Sequence, residues 1–170
     1  LRRALSPWTQ ASGAVAQRMV TACRPHAPAF ITPMAAVAGA VADEVLAAML
    51  PAAPRRAYVN NGGDIALHLA AGTSYRVGLV ADIARHGHGL ALDGQFEVTH
   101  ALPVRGVATS GWRGRSFSLG IADSVTVLAA DAAAADAAAT MIANAVDTDH
   151  PGIVRARACD VADESDLGER

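Results

Sequence analysis

The 170-residue sequence has no lysine, only two cysteines, and aromatic residues that make up just 4% of the chain. Its net charge of −2 gives no general attraction to nucleic acid or to an anionic membrane surface. Cys23 and Cys159 lie far apart and outside any metal-binding or redox spacing, so we expect reduced thiols in a cytoplasmic protein. No apolar run reaches the length expected of a transmembrane helix, and no signal peptide is recognisable, although the chain begins at Leu1.

Motifs that identify common enzyme classes are also missing. The sequence contains no GxGxxG fingerprint, no phosphate-binding P-loop and no GxSxG nucleophile elbow. Nucleophilic hydrolysis by a serine triad therefore has no support, and a nucleotide would have to be held by a different type of loop.

The composition is that of a packed globular domain. Hydrophobic residues form 52% of the chain and charged residues 18%. A chain of this length buries about 70% of the surface that its unfolded form exposes. We expect one domain over residues 1–170.

Hydrophobic periodicity and turn residues predict an α+β fold with a mainly antiparallel sheet, because helices and hairpins come in blocks without βαβ alternation. The predicted helices are Ser12–Cys23, a helix buried all round from Met34 to Leu50 with Thr32 as N-cap and Pro33 first, and Ala132–Val146 with Asp131 as N-cap. The predicted strands are Ala57–Asn60, Asp64–Leu69, Tyr75–Ile83, Gln95–His100, Ser124–Ala129 and Val154–Cys159.

The first candidate site is the turn between two of these strands, made of Asn60, Asn61, Gly62, Gly63 and Asp64. Asparagine followed by glycine is a strong hairpin signal, and such a turn needs glycines simply to close. Paired glycines also allow a ligand to approach the backbone, with Asn60 and Asp64 hydrogen-bonding to it. From the motif alone, the turn-closing interpretation is favoured.

The second candidate is a small-residue loop, Thr109, Ser110 and Gly111, set among Arg105, Arg113 and Arg115. Exposed amides, hydroxyls and guanidinium groups can hold phosphate oxygens. A solvated surface loop fits the local sequence equally well.

The third candidate is a metal site on the predicted alanine-rich helix. Asp136 and Thr140 are four residues apart and therefore share a helix face, where their oxygens would suit magnesium completed by phosphate and water. The alternative is a solvent-exposed aspartate and a threonine bonded to its own helix. His86 and His88 are a further, weaker pair for zinc or nickel, with no third ligand.

Four segments in order resemble the ApbE-like superfamily, whose best-known members are FAD:protein FMN transferases. They are ITPMAAVAGAVAD from Ile31, YVNNGGDI from Tyr58, VATSG from Val107 and SVTVLAADAAAADAAAT from Ser124. The likeness is greatest to a short, functionally uncharacterised branch of that superfamily, which also carries GWRGRSFSLGIAD and the terminal SDLGER. It implies a T-fold-like α+β domain, truncated at both ends.

The resemblance also implies a flavin or other phosphate-containing nucleotide ligand, with Asp136 and Thr140 at the transferases' magnesium positions. If the protein is catalytic, the expected enzyme is a flavin-transferring or pyrophosphate-cleaving one. The sequence does not give the oligomeric state, and a homodimer is one option. Transferases carry a Lys-Gly pair in the first helix, and a histidine and an Asp-Pro-x-Thr-Gly segment before the S-V-T-V strand; these are not found here. A non-catalytic binding or assembly protein with the same fold is therefore the alternative.

Overall fold

The computed structural model describes residues 1–80, 92–114 and 117–161. Its helices are α1 (Ala14–Cys23), α2 (Val37–Met49), α3 (Ala132–Ala145) and the short α4 (Ala158–Val161). Its strands are β1 (Arg56–Asn61), β2 (Asp64–Leu69), β3 (Ser74–Leu79), β4 (Gly94–Thr99), β5 (Gly106–Ser110) and β6 (Val125–Ala129).

The strands form two antiparallel sheets. The larger has the order β1-β2-β5-β6, and β3 pairs with β4 as a separate hairpin. Helices pack against these sheets, so the predicted α+β class with an antiparallel sheet is confirmed.

The β1–β2 hairpin turns where the sequence predicts. Asn61 pairs with Asp64, so the loop itself is Gly62-Gly63 and β1 runs one residue further than expected. Both glycines have positive φ, 72° and 114°, which is the requirement of a type I′ hairpin turn.

Small residues bring the helices close to one face of the large sheet. Ala66 of β2 and Ala132 of α3 share one buried cluster with Leu46 of α2, while Ala108 of β5 packs against other alanines of α3. A Cβ added to Gly39 would lie 2.2 Å from the Ala132 carbonyl oxygen, so this helix crossing requires glycine. The opposite face of the sheet is covered by the β3–β4 hairpin in a cluster of Leu67, Leu69, Val77, Val98 and Val107.

The predicted helix Met34–Leu50 needs correction. Its first turn, Pro33–Ala36, is a 3₁₀ helix, and Thr32 makes no side-chain cap. Helix α2 is not buried all round either, because Val45 is 46% and Met49 42% exposed.

Helical structure in this region extends beyond the predicted bounds Met34–Leu50, because 3₁₀ turns directly precede and follow α2. By length and composition, Pro33–Ala52 is a helical stretch of 20 residues with mean hydropathy 1.5 that could cross a membrane, so the expectation that no run is long enough was wrong. Such a stretch is equally typical of a core helix, and Ala40, Ala42 and Leu46 are packed in this protein's core.

Two further predictions about elements were wrong. Thr109 and Ser110 are not in a loop but end strand β5, which pairs with β2 and β6. No strand forms between Val154 and Cys159; the regular element there is α4. The predicted strand Tyr75–Ile83 corresponds to β3, and its last three positions lie outside the described residues.

Candidate functional site

The candidate site lies at the edge of the large sheet where β2 begins and β5 ends. Asp64 is the first residue of β2, and its Oδ1 accepts a hydrogen bond of 3.4 Å from the backbone N–H of Thr109. Alternate residues of a strand face opposite sides, so Asp64 shares the side of Ala66, which packs against the helices. The Asp64 carboxylate is therefore directed to the sheet–helix boundary.

Asp136 reaches the same boundary from α3. Its Oδ2 accepts a 3.0 Å hydrogen bond from the backbone N–H of Gly39 in the first turn of α2. The residue before α2, Ala36, has no side-chain acceptor for these amides. Asp136 thus caps α2 from another helix, where the positive end of the helix dipole favours a carboxylate.

The two carboxylates influence each other. Burial first, and the charge of Asp64 second, raise the pKa of Asp136 to about 7 against the opposing backbone hydrogen bonds from Gly39 and Ala38. Burial likewise raises the pKa of Asp64 to about 6, opposed by the Thr109 N–H. Two carboxylates that repel each other at a partly buried edge can share a proton or bind a cation.

Thr140 adds a hydroxyl one helical turn beyond Asp136. The two residues share a face of α3, and both are partly buried. Within the described ranges, no group of three or more His, Cys, Asp or Glu residues could hold a metal. An ion at Asp64, Asp136 and Thr140 would therefore take its other ligands from water or phosphate, as magnesium commonly does.

The asparagines of the hairpin have local partners. Asn60 Oδ1 accepts from the Gly63 N–H at 2.9 Å, which closes the turn, while Asn61 Nδ2 donates to the Ala38 carbonyl at 3.1 Å. A Cβ on Gly62 or Gly63 would meet nothing within 4 Å, so their positive φ alone accounts for both glycines. Asn61 nevertheless fixes the turn beside the α2 terminus that Asp136 caps.

Thr109 and Ser110 of the predicted phosphate loop are the last two residues of β5, so their side chains face opposite sides of the sheet. Thr109 Oγ1 meets Thr126 Oγ1 at 2.9 Å on the sheet face away from the helices, whereas Ser110 is on the face of Ala108. Ser110, not Thr109, therefore lies on the same side as Asp64. Gly111 is required by packing, since a Cβ there would be 2.2 Å from the Asp123 carbonyl oxygen.

The two described arginines near β5, Arg105 and Arg113, both donate hydrogen bonds within the protein. Arg105 donates to the carbonyls of His100, Leu102 and Val104 and so stabilises the loop between β4 and β5. Arg113 Nε donates to Asp123 at 2.9 Å. Arg115 and the pair His86 and His88 lie outside the described residues.

Two residues that the sequence predictions did not include contribute to the site. The buried Asp43 accepts from the N–H groups of Ala132 and Ala133, at 3.1 and 2.9 Å, and so caps α3 from α2. Its position on the buried side of an apolar helix, next to the half-exposed Glu44, is the signal that could have identified it. Trp112, just beyond β5, donates from Nε1 to Asp123 at 2.8 Å, and no sequence spacing pointed to that contact.

A family model described as AbpE bacteria matches residues 1–170. The chain is 36% identical over 149 residues to the UPF0280 protein of Methanothermobacter thermautotrophicus, covering 82% of this chain and 52% of the relative. It is 38% identical over 151 residues to the UPF0280 protein of Methanosphaerula palustris, covering 88% of this chain and 59% of the relative. The chain thus spans between about half and three fifths of the length of these curated relatives. Because the family model covers the whole chain, the protein belongs to the family described as AbpE bacteria.

Proposed function

We propose that the protein binds a phosphate-containing ligand, a flavin or another nucleotide, together with a magnesium ion at Asp64, Asp136 and Thr140. The observation that carries this proposal is the convergence of Asp64 and Asp136, from separate elements, close enough for one charge to act on the other. Ser110 at the end of β5 and Asn61 on the hairpin belong to the same edge of the sheet.

A cation would offset the repulsion that the fold imposes on these carboxylates. Hard oxygen ligands suit magnesium, which keeps open positions for water and phosphate oxygens. Phosphate oxygens on the ion would bring the ligand to the end of β5. The resemblance to flavin transferases supports the same arrangement, because their magnesium-binding aspartate and threonine correspond to Asp136 and Thr140.

The second candidate is a binding protein without turnover. It is favoured by the segment that resembles the first helix of the transferases, because that segment has no lysine where the transferases carry one. Incubation with FAD and an acceptor peptide separates the two candidates. Covalent attachment of FMN to the peptide would exclude the non-catalytic candidate, while saturable binding without turnover supports it.

The test of the proposal is calorimetric titration with FAD, FMN and ADP, with and without magnesium. Asp136→Asn is the decisive variant, because an amide oxygen can still accept from the Gly39 N–H while the negative charge is lost. We expect magnesium-dependent binding of at least one ligand that Asp136→Asn weakens about tenfold or more, a loss typical of a charged contact.

Asp160→Asn is the matched control and should leave binding unchanged, because Asp160 of the short helix α4 pairs with Arg157, which directly precedes that helix. Failure of the wild-type protein to bind any of the three ligands would contradict the proposal. Binding that ignores both magnesium and Asp136→Asn would contradict the metal site.

A further inference from the structure

The segment that leaves β5 places an indole ring next to the candidate site. Trp112 is two residues beyond Ser110, so their Cα atoms are separated by at most about 7 Å. Trp112 is 51% exposed although its ring is large and apolar. Exposed tryptophans fixed beside polar sites are common binding elements, because the ring offers area at low entropic cost.

The ring is held in a defined orientation. The Trp112 N–H donates to the Ala122 carbonyl at 3.0 Å, and Nε1 donates to Asp123 Oδ1 at 2.8 Å. Asp123 also accepts from Arg113 Nε, and the Arg113 guanidinium carbon lies 5.0 Å from the centroid of the Trp112 ring. The carboxylate of Asp123 therefore fixes both the indole and the guanidinium.

These contacts place a cation and a planar aromatic surface together. Indole and guanidinium are both groups that can contact a flat heterocycle, the first by stacking and the second by cation–π interaction or stacking. Trp112 is held by these contacts and is still 51% exposed. The indole is thus available to a ligand that extends from the end of β5.

We propose that Trp112 stacks against the heteroaromatic ring of the ligand, with Arg113 beside it, while the ligand's phosphates are held at Ser110 and the Asp64–Asp136 edge. This assignment rests on the proposed function, and it adds the residues that contact the planar ring of such a purine or flavin nucleotide. A phosphate compound without a ring would bind only at Ser110 and the Asp64–Asp136 pair.

The test compares ADP with inorganic pyrophosphate, which lacks a ring, by calorimetry in the presence of magnesium. We expect Trp112→Ala to weaken ADP binding roughly tenfold, the effect of losing one stacked base, and to leave pyrophosphate binding unchanged. Trp8→Ala is the matched control, since Trp8 is 87% exposed and lies on the N-terminal segment. Unchanged pyrophosphate binding also shows that Trp112→Ala has kept its fold.

Fluorescence gives a second readout, because the chain has two tryptophans. In Trp8→Phe, where Trp112 is the remaining fluorophore, FMN should quench the emission with the affinity measured by calorimetry. In Trp112→Phe, the emission of Trp8 should change little.

The failures of the two proposals can be told apart. If Trp112→Ala weakens the binding of ADP and pyrophosphate equally, or of neither, the stacking role is overturned. The proposed metal site at Asp64, Asp136 and Thr140 is then unaffected. If pyrophosphate, ADP, FAD and FMN all fail to bind the wild-type protein, the proposed function and the stacking role are overturned together.

Discussion

At the scale of single residues, three aspartates occupy the boundary between helices and sheet in different ways. Asp43 uses both carboxylate oxygens as hydrogen-bond acceptors for the first amides of α3. Asp136 is held by Gly39 and repelled by Asp64, while Asp64 has one long bond to Thr109. Both carboxylate oxygens of Asp43 thus have backbone donors, although burial still raises its pKa, whereas Asp136 is in addition repelled by the charge of Asp64.

This difference predicts how the stability of the ligand-free protein depends on pH. The pKa values of Asp136 and Asp64, about 7 and about 6, both lie above the ordinary 3.8. A carboxyl with a raised folded-state pKa holds its proton more tightly when folded, so its stabilisation is complete below about pH 4 and is lost as the pH rises to 7. We expect the free energy of unfolding, measured with urea, to fall over this range.

Asp136→Asn should flatten that dependence and stabilise the ligand-free protein at pH 8 by on the order of 2 kcal/mol. Asp160→Asn is the control and should retain the wild-type profile. Magnesium should act in the opposite direction, since it binds the deprotonated pair and is therefore more stabilising at pH 8 than at pH 5. Identical pH profiles for wild type and Asp136→Asn would contradict the coupling.

At the scale of elements, α2 and α3 cap each other. Asp136 of α3 accepts from the first turn of α2, and Asp43 of α2 accepts from the first turn of α3. Gly39 permits the close crossing that brings these groups together. The arrangement fixes α3 relative to the sheet and so determines where Asp136 and Thr140 lie.

Local signals predict some of these elements and not others. Helix α3 begins where predicted, and the Asp131 side chain accepts from the Ala134 N–H as an N-cap should. Strand β5 was missed because its small residues look like a loop and its partners, β2 and β6, are distant in sequence. The reciprocal caps join residues that are 89 to 97 positions apart along the chain, so they leave no local pattern at all. Asp64 and Asp136 were each chosen as candidates, but their proximity comes from the fold.

The two caps of α3 should differ in their effect on stability. Asp131→Ala removes an exposed N-cap and should cost about 1 kcal/mol. Asp43→Ala leaves two buried N–H groups without acceptors and should cost roughly 2–4 kcal/mol. Urea unfolding of both variants tests this order. An equal or smaller loss for Asp43→Ala would show that water or a shift of α3 satisfies those amides.

At the scale of the whole molecule, α1 closes the helical layer behind the candidate site. Met19 and Cys23 of α1 pack with Ala36, Ala40 and Ala137 in one buried cluster. Cys23 is close enough to Asp136 for its charge to act on the thiol, so the α1 layer borders the site directly. If this layer is an integral part of the domain, it should open only when the whole domain unfolds.

Cys23 is a built-in probe of that cooperativity. It is 0% exposed, and burial together with the charge of Asp136 raises the pKa of its thiol to about 12. Cys159 is partly exposed and free. Because the thiolate is the reacting form, we expect one fast and one very slow reaction with a thiol reagent at pH 8, and only the slow one in Cys159→Ser. Raising the urea concentration should accelerate the slow reaction with the free energy and slope measured for global unfolding by circular dichroism. A markedly smaller slope would instead mean that α1 detaches on its own and exposes Asp136 while the sheet stays folded.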